Sequence, residues 1–167
     1  AGPDDRDAHS LPANGADYLA GLDGDLSGLR VAWSGTFGYA PIEPEVLALC
    51  EQAAKRFEDF GCTVEEVDPP WSDPRECWIS TFLGGAATRL APALAEQRDL
   101  LHPGLAALLD EVGDWEPTHF IEAWFERLTF VSEALAWFAD YDLLLCPTMP
   151  VAAIEIGKNE AEVVDGQ

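Results

Sequence analysis

The chain has 167 residues, 48% of them hydrophobic, which is enough for one domain with a real core and excludes an intrinsically disordered polypeptide. Thirty-one acidic residues against nine basic ones give a formal charge of −22. That balance opposes phosphate backbones and anionic lipid, so neither nucleic acid nor a membrane surface is an expected partner.

In chain order, residues 1–28 are rich in Pro, Gly, Asp and Asn and predict an irregular leading segment, with one helical turn over 17–22. Asp23, Asp25, Ser27 and Gly28 imitate the opening of a calcium loop. Arg30 and Ser34 then stand where an apolar residue and a bidentate glutamate belong, so a plain acidic turn is expected. Residues 29–34 predict a buried strand, 35–41 a glycine-bearing loop, 44–60 a helix and 63–67 a second strand. Pro44 suits a first helical position, and Gly61 suits the left-handed residue that ends a helix. Val46, Leu49, Cys50, Ala53, Ala54 and Phe57 form the expected buried stripe. Strand, helix, strand with short connections predicts a βαβ unit with parallel strands.

After a breaker-rich loop over 68–74, a helix is expected over 75–90, with Trp78, Ile79, Phe82, Leu83, Ala86 and Leu90 on one side. Gly84-Gly85 in its middle implies either close packing or room for a ligand, at a cost of roughly 1 kcal/mol per glycine. Residues 92–97 read as a broken continuation, and 103–112 as another short helix. The longest helix is expected over 117–139, with Thr118 as a possible N-cap and Phe120, Ile121, Trp124, Phe125, Leu128, Val131, Leu135 and Phe138 on a broad core face. Residues 141–146 predict a third strand buried on both faces, stopped by Pro147-Thr148-Met149-Pro150. The expected division is 1–28 leading segment, 29–154 α/β region, and 155–167 acidic tail. The fold class is α/β, an open mixed or parallel sheet with flanking helices.

The chemistry is sparse. Cys50, Cys62, Cys77 and Cys146 show no CxxC spacing and no companion histidines, so no zinc site is expected, and reduced thiols in a cytoplasmic protein are. No apolar run approaches the roughly 18 residues of a membrane span, and no secretory h-region opens the chain. Motifs for phosphate loops, dinucleotides, nucleophile elbows and metalloproteases are absent, and no cofactor is expected. His9, His102 and His119 are scattered and suit solvated or capping roles, and Lys55 lies at the polar edge of a helix.

Four stretches in order resemble the amidase signature family of hydrolases. They are residues 1–12, residues 29–34 with Gly38-Tyr-Ala-Pro-Ile-Glu-Pro-Glu45, residues 60–69, and Tyr141-Asp-Leu-Leu-Leu-Cys-Pro-Thr-Met-Pro150. The resemblance spans about residues 1–157. It implies hydrolysis of, or transfer from, amide bonds by a Ser–cis-Ser–Lys triad beside a glycine- and serine-rich signature. Those family residues precede the region this chain resembles, so no triad member carries over. The chain, which opens at Ala1, is expected to be a C-terminal-side part of an amidase, inactive alone. The resemblance also places Cys146 and Thr148 near the mouth of the acyl site, with Cys146 where threonine is commoner. Arg127 occupies the helix position where amidotransferase-like members aim an arginine at a substrate carboxylate; the competing reading is a surface salt bridge. Trp78 and Phe82 suit an apolar acyl or aryl pocket, with core packing as the alternative.

A small amide is therefore the expected substrate of the intact enzyme. Association with another copy, or with the rest of the enzyme, is expected to cover apolar surface. The competing function is a non-catalytic acidic α/β interaction or binding module.

Overall fold

A computed structural model describes residues 3–7, 10–113, 115–158 and 164. His9 and most of the expected acidic tail lie outside the described residues. The elements are β1 (Arg30–Trp33), α1 (Pro44–Lys55), β2 (Thr63–Glu66), α2 (Arg75–Glu96), α3 (Pro103–Gly113), α4 (Pro117–Trp137) and β3 (Leu143–Leu145). The three strands form one parallel sheet in the order β2-β1-β3. β1 aligns Val31 with Val64 on one side and with Leu143 on the other. Because side chains alternate along a strand, Val31 and Trp33 face one side of the sheet and Arg30 and Ala32 the other. Val31, Ala32 and Trp33 are all buried, as a central parallel strand requires.

α1 begins with Pro44 at its first turn, carries Glu45 at its positive end and Lys55 at its negative end. It stops at Lys55, earlier than expected, and a tight turn over Glu58–Phe60 leads to Gly61 at φ +82°. A side chain on Gly61 would meet the Ser27 hydroxyl at 2.8 Å and the Ser27 Cα at 3.2 Å, so this position is closed to other residues twice over. The stripe on α1 is also rotated from the expected one. Ala54 is buried and Leu47 points inward, reaching within 2.6 Å of where a Gly35 Cβ would lie, whereas Leu49 and Ala53 are exposed. Two neighbouring apolar rows fit the sequence equally well, and the bare backbone at Gly35 admits Leu47.

α2, α3 and α4 form a helical layer, with α2 packed on both of the others. α2 runs on through Pro92 to Glu96 instead of breaking. Gly84 is a close-packing position, because a Cβ there would lie 3.1 Å from the Phe120 ring, while Gly85 faces open space. The start of α4 corrects the expected cap. Pro117 takes the first turn, the preceding Glu116 is the cap residue without a side-chain bond, and Thr118 is already helical. Proline's fixed φ places the cap two residues earlier, at Glu116. Trp71, after β2, meets the Phe130 and Trp137 rings edge-on at 5.5 and 5.4 Å, and Trp137 stacks on Tyr141 at 4.6 Å. The Tyr141 hydroxyl donates to Glu65 at 3.0 Å, Arg30 pairs with Glu65 at 3.2 Å, and the Arg30 guanidinium lies 5.0 Å from the Tyr141 ring centroid. This aromatic and ionic chain ties the end of α4 to the sheet.

β3 departs from expectation. It is an edge strand among the described residues, with Leu143 37% exposed and Leu144 and Leu145 half-buried. Its continuous apolar run suits burial on both faces, but only β1 covers it. The α4 stripe is likewise covered on one side only. Ala123 is buried, while Phe125 is 63% and Leu135 70% exposed. No helix among the described residues is long and apolar enough to cross a membrane.

The carboxyl end of β1 is fixed by Ser34, which is only 1% exposed. Its hydroxyl donates to Asp68 Oδ1 at 2.7 Å and accepts the Phe37 N–H at 2.9 Å, while its own N–H donates to the Leu145 carbonyl at 3.0 Å. One residue thus joins the ends of all three strands.

Leu109, 2% exposed in α3, should cost about 2–5 kcal/mol when changed to Ala, and edge Leu143→Ala less than about 1 kcal/mol, in urea unfolding. Ser34→Ala, which removes one buried hydroxyl and strands two partners, should cost about 1–3 kcal/mol in the same assay. Equal losses for the two leucines, or none for Ser34→Ala, would contradict this packing.

Candidate functional site

In an open parallel sheet, ligands bind outside the carboxyl ends of the strands, where the strand order changes direction. Here β2 lies on one side of β1 and β3 on the other, so the loops after β1 and β3 part over the sheet edge. The β1 loop is tightly organised. Phe37 has φ +55° and Gly38 φ +77°, the Tyr39 and Ala40 N–H groups both donate to the Thr36 carbonyl, and the Phe37 and Tyr39 rings stack at 5.9 Å. A non-glycine residue in the left-handed region is uncommon, and such strain concentrates at functional sites. The loop after β3 returns to the start of α1, where the Glu43 N–H donates to the Pro150 carbonyl at 2.9 Å.

A cavity of about 350 Å³ opens beside these loops, lined by Tyr39, Asp73, Trp78, Thr81, Arg127 and Phe130 among others. Arg127 and Trp78, which the sequence separates by a whole helix, therefore share one cavity. Arg127 makes no ion pair among the described residues; its guanidinium lies 5.4 Å from the Trp124 ring centroid instead. Phe82 stacks on Trp78 at 5.0 Å with nearly parallel rings, but does not itself line the cavity. Cys146 and Thr148 follow β3, and both are exposed. Partial enclosure and then the neighbouring Cys50 push the Cys146 thiol up, so it is a thiol rather than a thiolate at neutral pH. Burial first, then the negative charge of Asp73 and the Cys146 sulfur, raise the Tyr39 phenol. Tyr39 thus belongs both to the cavity and to the surroundings of Cys146.

Sequence reasoning missed Tyr39, Ser34 and Asp68. The available signal for Tyr39 was its place between Gly38 and Pro41 in a loop leaving a buried strand, where binding residues concentrate. A larger cavity, of about 890 Å³, lies between α2, α3 and α4 over Gly84 and Gly85, lined also by Arg89, Trp115 and Phe120. It has none of the strand-end loops in its wall. Another, of about 440 Å³, lies over Gly35, Thr36 and Asp68 but contains neither Arg127 nor Trp78. The 350 Å³ cavity, which joins Tyr39 of the β1 loop to Trp78 and Arg127, is the candidate site.

Catalytic groups do not converge there. One Ser–His contact exists among the described residues, Ser80 Oγ to His119 Nε2 at 2.9 Å. Ser80 is buried and its hydroxyl donates to the Glu76 carbonyl at 2.8 Å, so the histidine donates to it and the pair braces α2 against α4. Among the described residues no group of three His, Cys, Asp or Glu side chains is placed to hold a metal ion.

A family model described as Amidase matches residues 1–166. An acylamidase of Rhodococcus erythropolis is 32% identical over 99% of this chain and 35% of its own length. A glutamyl-tRNA(Gln) amidotransferase subunit of Lactiplantibacillus plantarum is 26% identical over 98% of this chain and 39% of its own. The structure superposes on a bacterial aryl acylamidase of the amidase signature family with a TM-score of 0.81 at 24% identity, covering 99% of this chain and 37% of that one, a likeness of fold. The chain thus spans little more than a third of the length of the relatives it matches. With the family pattern running through nearly every residue, and the parallel sheet and helical layer laid out as in its solved relative, this chain belongs to the amidase family.

Proposed function

We propose that this chain forms the acyl-site wall of an amide hydrolase whose nucleophile is supplied by sequence outside it. The observation that carries the reading is a cavity between the β1 loop, α2 and α4, in a chain of the amidase family, that gathers Arg127 and Trp78 but no catalytic group. In the intact enzyme a serine attacks the amide carbonyl, the second serine and the lysine pass its proton to the nitrogen so that the C–N bond breaks and ammonia or amine leaves, and water releases the acid from the acyl-serine. Trp78, backed by Phe82, forms the apolar wall against the acyl group. Arg127, free of an ion pair among the described residues, offers its guanidinium to an oxygen of the substrate. Cys146 and Thr148 do not line this cavity, and their role at the mouth of the acyl site rests on the family resemblance, with the neutral thiol contributing shape rather than charge.

The partner is a small amide, and the serine chemistry calls for no metal or other cofactor. The half-covered stripe of α4 and the open edge of β3 are the surfaces that another copy, or the rest of the enzyme, would cover. The free cysteines suit a reducing cytoplasm. The same uncovered face is what favours the second reading, an acidic interaction module without catalysis.

The purified 167-residue chain, incubated with simple aliphatic and aromatic amides, should release no ammonia above the buffer rate, while a longer polypeptide carrying the glycine-serine signature should. Turnover that follows the short chain through purification would overturn the division of labour. An inactive long polypeptide would favour the interaction module.

A further inference from the structure

The walls of the 350 Å³ cavity contain several polar side chains, and some of their donors are already used. The Thr81 hydroxyl donates to the Cys77 carbonyl at 2.8 Å, and the Cys77 thiol to the Pro74 carbonyl at 3.2 Å. Arg75 is engaged with Glu76 at 3.0 Å, and its N–H with Asp73 Oδ1 at 2.9 Å. Three lining groups make no hydrogen bond among the described residues: the Arg127 guanidinium, the Trp78 indole N–H and the Tyr39 hydroxyl.

Apart from these donors and the Asp73 carboxylate, the walls are largely apolar and aromatic, formed by Trp78, Phe130, Val131 and the Tyr39 ring itself. Tyr39 is also the member of the β1 loop that reaches the cavity, and that loop is held by the buried Ser34 hydroxyl through the Phe37 N–H. A side chain presented by a fixed loop at the boundary of a cavity is in position to select what enters.

We propose that Tyr39 is a specificity-determining residue of this amidase site, selecting aromatic acyl groups that carry a hydrogen-bond acceptor, such as a carboxylate or carbonyl, for its hydroxyl. This rests on the hydrolase reading and sharpens it by naming the acyl class. The ring and that of Trp78 supply flat surfaces in the same cavity, and the hydroxyl supplies the donor. Burial and the nearby Asp73 carboxylate keep that hydroxyl protonated through neutral pH, so it donates throughout the working range. A site built to donate to a substrate oxygen rejects the analogue that lacks it, because the donor, closed off from water by the bound acyl group, is then left unpaired.

The test compares benzamide with 4-carboxybenzamide in the intact enzyme. Y39F keeps the ring and removes only the donor, so it should raise KM for 4-carboxybenzamide about tenfold with a smaller change in kcat, and lower KM for benzamide, whose complex no longer strands a donor. Y39A should in addition erode the preference for benzamide over acetamide by about tenfold. Equal changes for both aromatic amides with Y39F, or none for either, overturn the assignment. If the intact polypeptide hydrolyses no amide, the hydrolase reading fails instead, and binding decides the role of Tyr39. The same two compounds, titrated into the chain and followed by NMR at the Tyr39 amide and Trp78 indole, should bind with a preference for 4-carboxybenzamide that Y39F abolishes. Equal binding of the two, or shifts confined to other residues, would overturn the proposal.

Discussion

One buried hydroxyl organises the structure. Ser34 ends the only strand that is paired on both sides among the described residues, and it holds the Asp68 carboxylate, the Phe37 N–H and the Leu145 carbonyl at once. A polar group that is 1% exposed must find partners, because an unpaired one costs as much as a whole stabilising interaction is worth. The hydroxyl's two partners belong to the segments that leave β1 and β2, and the backbone N–H of the same residue takes the end of β3. The need to satisfy one side chain therefore joins two of the loops, and the backbone of that residue adds the third. Gly38 keeps the arrangement open, since a Cβ there would come to 3.4 Å of Asp68 Oδ2 at a φ of +77°.

From that edge the rest is ordered outward with decreasing grip. Trp71 locks α4 through Phe130 and Trp137, and the Arg30–Glu65–Tyr141 group closes the far end of the sheet. The Glu65 carboxyl is held below its usual range by the Tyr141 hydroxyl and then by Arg30. Its contribution is therefore complete at neutral pH and lost as acid protonates it in the folded state. The ion pairs elsewhere, such as Arg98 with Asp110 and Arg56 with Asp59, are solvent-facing and add little. The formal charge of −22 acts over about 8 Å at physiological salt and so opposes association mainly before contact, leaving short-range burial of the α4 face to decide it.

The βαβ unit was legible because its signals are local. The strand patterns, Pro44 at a helix start and Gly61 past a helix end can each be read within a few residues. The register of α1 was not legible, since Leu47 faces inward only because Gly35, twelve positions earlier, has no side chain. Nor was the edge position of β3, because an apolar strand carries the same pattern whether its neighbour belongs to the described sheet or not. Arg127 and Trp78 were each singled out as pocket residues, but their meeting in one cavity is a product of how α4 packs on α2. Tyr39 lies inside the Gly38-to-Glu45 stretch that carries the family resemblance, but nothing in that stretch marks its side chain. That its hydroxyl is uncommitted and its ring lines the cavity is visible only in three dimensions.

The central claim is that β1 and its terminal serine are the fixed centre from which the site loops are hung. Amide hydrogen exchange, resolved by residue at neutral pH, tests it most directly. The N–H groups of Val31, Ala32, Trp33 and Ser34 should be the slowest in the chain, exchanging only on global unfolding, with those of β3 and of the outer turns of α4 exchanging faster. If the β1 amides exchange as fast as those of α4, the sheet is not the anchor, and the helical layer must hold the site instead.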